Sequence, residues 1–411
     1  MAPDGVPAAH PAVPVGGPPA EDLGRYTPTQ EASGYPYASW AGAEYLTWWI
    51  KDGPKPPPLV TTGPIGAPHP GLPGAPGTAV VFGDADLDYG TFAGVRCQLG
   101  SWMDLNQKCG AEVTGLLLEK RAILFAAASG PGGAPVVARP YADALTGQET
   151  VSFAALPGLV AGGITASSGS RLWGLELNFR HGGCYREICL PGGVQGDFRA
   201  DWLAGCRYLD LHEYLFINQA SAVLPHALEF FNGIPITAPS LLYLDDRFSA
   251  HNRFAGGQVG FQGEFCRGGF FLDCLSQVAV GDTHQVIGVD GTSTLNPQRV
   301  VLPPATAQGG LLATAANGGR QVRERFSVVP ELAFKLGYQL APEVRFFASY
   351  SLLYWSDTVR PGDLIDRTVN PTQVPTRPEF GPLSGPTRPA FSLEGRAFWA
   401  QGVGIGLEVR Y

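Results

Sequence analysis

Three carboxylates at alternate positions, Asp84, Asp86 and Asp88, come nearest in this chain to a metal-binding set. An extended backbone would place all three on one face. A twelve-residue calcium loop, however, needs glycine at its sixth position and a bidentate glutamate at its twelfth. Counted from Asp84, those positions hold Tyr89 and Val95, so a solvated loop or a polar strand face is expected and no metal or cofactor residue is assigned. Histidines come next: His10 and His69 lie in proline-rich segments, while His181, His212, His226, His251 and His284 fall between or at the ends of patterned stretches. His251 and His284 could meet at a rim of the fold together with Asp246 or Asp282. No serine stands in a nucleophile elbow and no HExxH occurs, so no catalytic residue is assigned and an enzyme is not expected.

The seven cysteines (Cys97, Cys109, Cys184, Cys189, Cys206, Cys266, Cys274) form no CxxC pair and no zinc-like spacing. Cys184 and Cys189 share the loop GGCYREICLPGG and could close a small disulfide in an oxidising compartment; Cys97 and Cys109 flank a turn and could face each other. The alternative is that most are small hydrophobes on strand faces.

The remaining chemistry is charge set against apolar alternation. From Trp399 onward the odd positions are Trp399, Gln401, Val403, Ile405, Leu407, Val409 and Tyr411; the even ones are Ala400, Gly402, Gly404, Gly406, Glu408 and Arg410. One face is apolar and the other small or charged, which is a β-strand long enough to cross a hydrocarbon layer when tilted. The pattern recurs at 91–102, 109–121, 171–181, 196–217, 251–266, 269–289, 323–341 and 343–356, and residues 39–51 read as a first strand with both faces partly apolar. Pro330 must then sit at a bulge or near a rim. On the faces opposite the apolar ones lie Glu176, Arg180, Arg199, Asp201, Arg207, Asp273, Glu331, Lys335, Glu408 and Arg410. Enclosed charges of both signs either set the ion preference of a water-filled passage or pair and plug it. Trp173, Phe179, Trp202, Tyr208, Phe334, Tyr338, Tyr354, Trp399 and Tyr411 are the aromatics expected to face the membrane or its interfaces.

Composition supports this placement. Charged residues are 16% of 411, against about 25% in soluble proteins. With 55 glycines and 37 prolines the chain suits turns and strands better than long helices. The net charge of -8 and the absence of a basic run argue against a nucleic-acid partner. No window approaches 18 consecutive apolar residues, so a membrane location requires a closed barrel, which alone satisfies strand backbones in lipid. Residues 1–38 are rich in Pro, Ala and Gly, read as disordered, and contain no secretory signal, which is expected to have been removed or truncated.

The segments EYLTWWIKDGPKPPPLVTTG, PGAPGTAVVFGDADLDYG and FWAQGVGIGLEVRY, together with DWLAGCRYLDLHEYL and FFLDCLSQVAVGDTHQ, resemble the putative beta-barrel porin-7 family of bacterial outer-membrane proteins. The resemblance runs from about Ser39 to Tyr411 and implies an exported barrel with presumed transport; it carries no catalytic motif.

Counting back from the C-terminus, connections run long (357–397), short (341–342), long (290–322), short (267–268), long (218–250), medium (182–195), long (122–170), short (103–108) and long (52–90). Barrels with short periplasmic turns and long extracellular loops have this rhythm. The expectation is an all-β, antiparallel, transmembrane up-and-down barrel over residues 39–411. Ten strands is the best count and 12 the next, within 10–14, because Thr78–Phe82 or Val151–Phe153 could hide another hairpin. Both termini would be periplasmic, and the C-terminal strand would engage the barrel-assembly machinery. The functional expectation is a narrow outer-membrane channel for small solutes or ions. The alternatives are a non-conducting structural or adhesive barrel acting through its extracellular loops, or a secreted soluble β-sandwich.

Overall fold

The computed structural model of the chain describes residues 38–190, 194–298 and 303–411. The expectation of disorder for residues 1–38 falls, but for its last residue, outside them. Ten strands form the barrel: β1 Ser39–Ile50, β2 Thr91–Trp102, β3 Cys109–Leu118, β4 Val160–Leu190, β5 Val194–Val223, β6 Ser240–Arg267, β7 Phe270–Pro297, β8 Gly319–Ala341, β9 Val344–Thr358 and β10 Arg396–Arg410. Each pairs antiparallel with its sequence neighbour, and β10 closes on β1 from Trp40↔Arg410 to Ile50↔Ala400. Closure removes the free edges that lipid could not satisfy. No helix among the described residues is long and apolar enough to cross a membrane.

The outer face reads directly from side-chain alternation. On β10, Val403, Ile405, Leu407 and Val409 are exposed while Phe398 and Ala400 are buried inside. Phe179, Trp202, Phe334, Tyr338, Tyr354 and Tyr411 are exposed on the outer surface, and Trp173, Tyr208 and Trp399 are half-buried. Ile405 lies near the middle of its strand, opposite Tyr45 and Ala348. Ile405→Arg is therefore expected to cost about 2–4 kcal/mol, read from denaturant unfolding in lipid vesicles.

The strands outrun the sequence reading. β4 to β7 have 31, 30, 28 and 28 residues, where about 9–11 cross a bilayer. The ends of the expected loops 218–250 and 290–322 are thus strand, as are 160–170 of 122–170 and the described residues of 182–195. After Glu119 and Lys120 the third strand resumes as Arg121–Ala128, paired with β4 from Arg121↔Ser170 to Ala128↔Gly163. Pro330 lies where β8 and β9 part: their ladder begins at Glu331↔Leu353, and beyond it Val328 N–H donates to Ser356 Oγ at 2.9 Å.

The two suspected hairpin sites do form strands, Ala79–Phe82 and Glu149–Ala155, but outside the barrel. With Val60–Thr62, Val137–Asp143 and Thr368–Val369 they make a separate five-stranded sheet at the loop end. Its core includes Leu59, Val137, Tyr141 and Val369 and is continuous with Leu215, Phe248 and Ile287 on the inner face of the extended barrel. The long loops are therefore a folded domain seated on the barrel's long-loop end.

Candidate functional site: the barrel interior

Strand β5 climbs through the interior from the short-turn end, passing Asp201, Arg207, Leu209, Leu211, Glu213 and Leu215, all buried. Each level gathers the residues that cross-strand register brings opposite.

At the lowest level Arg180 reaches Glu112 at 2.8 Å and Asp201 at 3.1 Å, and Arg199 pairs with Asp201 at 3.1 Å. Glu264 accepts from Arg345 at 2.6 Å and Arg410 at 3.1 Å, while Arg410 also holds Glu408 at 2.6 Å. Gln262 donates to Asp273 at 2.5 Å, and Lys335 to Gln98 at 3.2 Å. These side chains leave a cavity of about 60 Å³, enough for several waters.

One level up, Arg207 lies between Glu176, at 2.9 Å, and Glu331. Arg96 joins Glu331 to Glu44 at 3.5 and 3.4 Å. Gln277 donates to Glu331 at 3.2 Å and to Glu176 at 3.0 Å. Buried charges are tolerated where each finds a partner, and here every carboxylate of the layer does.

Above the charges the interior turns apolar. Leu46, Trp48, Phe92, Leu172, Phe254, Trp355 and Phe398 have no exposed surface. Phe254 meets Trp355 edge-on at 6.1 Å, and the Trp355 indole N–H donates to Thr283 at 2.9 Å. Loop residues Leu87 and Tyr89 fold down into the same cluster. Higher still, Arg360 binds the buried Glu213 and donates to the Lys51 carbonyl at 2.9 Å, and Arg139 pairs with Asp246. Asp246 also accepts from the backbone N–H groups of Leu312 and Ala313 at 3.0 and 2.7 Å, fastening a loop to β6.

The structure thus turns Glu176, Arg180, Arg199, Asp201, Arg207, Asp273, Glu331, Lys335, Glu408 and Arg410 inward, in two stacked groups. Their partners Glu44, Arg96, Glu112, Glu264 and Arg345 had not been singled out. The signal was available for Arg96, which alternates with Val95 and Cys97, but Glu44 lies in the strand whose two faces could not be told apart.

Asp84, Asp86 and Asp88 lie exposed in a bent loop, the solvated placement expected of them: Asp84 has φ 58° and pairs with Lys55 at 2.9 Å, and Asp88 accepts from Gly90 N–H at 2.7 Å. The suggested histidine and cysteine contacts need correction. His251 and His284 do not gather Asp246, which points inward; on the outer face His251 bonds Asp210 at 2.7 Å and His284 pairs with Glu324. Cys97 lies opposite Gly115, and Cys109 beside His181, so they do not face each other. Cys97, Cys109, Cys184, Cys206, Cys266 and Cys274 are free thiols. Cys184 and Cys189 occupy one strand, and the side chain of Cys189, with the bridge suggested for it, lies outside the described residues.

In the long loop 359–395, burial pushes the Asp363 carboxyl up to about 6 against the pull of Arg396, and its Oδ2 finds no donor among the described residues. A carboxyl raised in the folded state stabilises below its unfolded value and loses that contribution as pH climbs through about 6. The segment 361–364 should therefore be better protected from hydrogen exchange at pH 4.5 than at pH 7 once intrinsic rates are corrected. Asp363→Asn should abolish the difference.

Comparison with known proteins adds a family. No curated protein matches the chain. Among solved structures, the outer membrane protease OmpT from Escherichia coli aligns over 93% of this chain and 99% of its own at 9% identity, with a TM-score of 0.38. OmpT of Vibrio cholerae aligns over 91% and 98% at 8% identity, with a TM-score of 0.11. The family model described as "Putative beta barrel porin-7" matches residues 40–411, nearly the whole described chain, and the protein belongs to that family.

Proposed function

We propose that this protein is a non-conducting barrel of the bacterial outer membrane that anchors and displays its extracellular β-domain, and that binding takes place on that domain. The observation that carries this reading is the apolar layer at Trp48, Phe254, Trp355 and Phe398, whose side chains have no exposed surface although they face the middle of the barrel. A hydrophobic constriction excludes ions by dewetting even where a wider opening would pass them. The paired charges below surround a cavity of about 60 Å³, room for a few waters. Assembly through the C-terminal strand, which must pair with β1 to close the ring, belongs to the same reading.

The narrow-channel reading follows from the family's name and requires the apolar layer to part. Recordings on the purified protein in planar bilayers separate the two. A flat trace up to voltages that open no gate is expected; reproducible unitary steps would overturn the anchoring reading in favour of a channel.

A further inference from the structure

The outer face of β4, β5 and β6, just beyond the apolar band, holds cations that no acid neutralises. Trp173 and Tyr208, with ring centroids 5.3 Å apart, mark the edge of the band, below which Leu175, Leu177 and Trp202 are exposed. On the next rung Arg171, His212 and His251 stand side by side, in the pairs Arg171↔His212 and His212↔His251. The Lys120 ammonium lies 4.7 Å over the Tyr214 ring, and Arg247 lies 5.9 Å over Phe216. Arg171, Lys120 and Arg247 are exposed, and among the described residues none has a carboxylate within ion-pair distance. Of the acids on this face, Asp210 is engaged by His251 at 2.7 Å and Arg253 at 3.8 Å, Asp245 accepts from Asn218 at 2.7 Å, and Asp290 stands opposite Arg247 in the register but forms no ion pair with it. Aromatic faces position these cations without cancelling their charge.

We propose that this patch binds the phosphate of a lipid headgroup in the outer leaflet, with Lys120 and Arg171 taking the phosphate and Tyr214 packing against the rest of the headgroup. Two features select a lipid. The patch continues the aromatic edge of the membrane-facing band, the depth at which headgroups lie. Its charge complements an anionic headgroup, for which each surface cation contributes measurably to binding. The proposal rests on the membrane placement of the barrel and is independent of whether the lumen conducts.

The test is native mass spectrometry of the full chain in detergent, titrated with phosphatidylglycerol or phosphatidylcholine. The wild type should retain phosphatidylglycerol preferentially. K120A/R171A should weaken that retention about 30-fold, from about fivefold per surface cation, without changing phosphatidylcholine retention or heat-dependent gel mobility. K120R/R171K should restore it. Equal retention by wild type and K120A/R171A, or equal affinity for the two lipids, would overturn the proposal. Complete displacement of the lipid by millimolar inorganic phosphate would also overturn it, by assigning the patch to the free anion. Should K120A/R171A lose its heat-dependent mobility shift, R247A with each single variant gives the same comparison.

Discussion

Arg207→Ala is expected to destabilise the barrel by about 3–5 kcal/mol, the cost of stranding buried charge. The side chain has no exposed surface, and it separates Glu176 from Glu331. Removing it leaves two carboxylates facing each other, with only Gln277 and Gln258 donating to Glu176 and with Arg96, 3.5 Å from Glu331, as the nearest cation. A companion variant, R207M/E176Q/E331Q, removes the charges together and should lie much closer to wild type, because neutralising a whole buried network is far cheaper than breaking it. Denaturant unfolding in micelles or vesicles, followed by tryptophan fluorescence, measures both. If the single variant costs less than about 1 kcal/mol, the figure for solvated pairs, then the interior is water-filled at that level and the closed-lumen reading loses its lower layer.

Strand count, closure and register were legible because lipid enforces a simple code: apolar outward, polar inward, charge absent from the outward midplane. β10 obeys it from Gly402 onward, with exposed Val403, Ile405 and Leu407 alternating against small inward residues. What escaped the code was the reversal of its phase at the membrane surface. Along β5 the outward residues Trp202, Ala204, Cys206 and Tyr208 are apolar or aromatic, but from Leu209 onward the apolar residues, Leu211, Leu215 and Ile217, face inward. A strand whose apolar face switches sides is hard to follow to its end: β5 was read as far as 217 and β7 as far as 289, but residues 160–170, 218–223, 240–250 and 290–297 at the tops of β4 to β7 were taken for loop. The first strand was ambiguous for the same cause. Tyr45 and Trp49 face lipid while Leu46, Trp48 and Ile50, interleaved with them, enter the apolar layer. That layer and the seated domain were invisible to any argument that treats the inward face as polar. The interior ion pairs were half legible, since alternation gives the face a charge occupies but not the partner that three or four strands of barrel curvature bring to it.

Trp48→Ala combined with Trp355→Ala tests which layer seals the barrel. Each substitution removes a fully buried indole and should cost about 3–5 kcal/mol, a loss visible as a lower midpoint in the same unfolding experiment. The sharper consequence concerns conduction. On the closed-lumen reading proposed above, the two layers act in series and would exclude ions for different reasons: the charged layer by its narrow hydrated space, the apolar layer by dewetting. Arg207→Ala weakens the first and leaves the second intact, so its bilayer trace should remain flat despite the larger share of lost pairing. W48A/W355A leaves the charges in place but opens space in the dry layer beside Phe254 and Phe398, which water can enter once the constriction is wide enough. Small, brief conductance steps should then appear in W48A/W355A and not in R207A. Steps in R207A alone would place the seal in the charged layer, and a flat trace from W48A/W355A, with the variant folded by heat-dependent mobility, would show that the extracellular domain closes the barrel by itself.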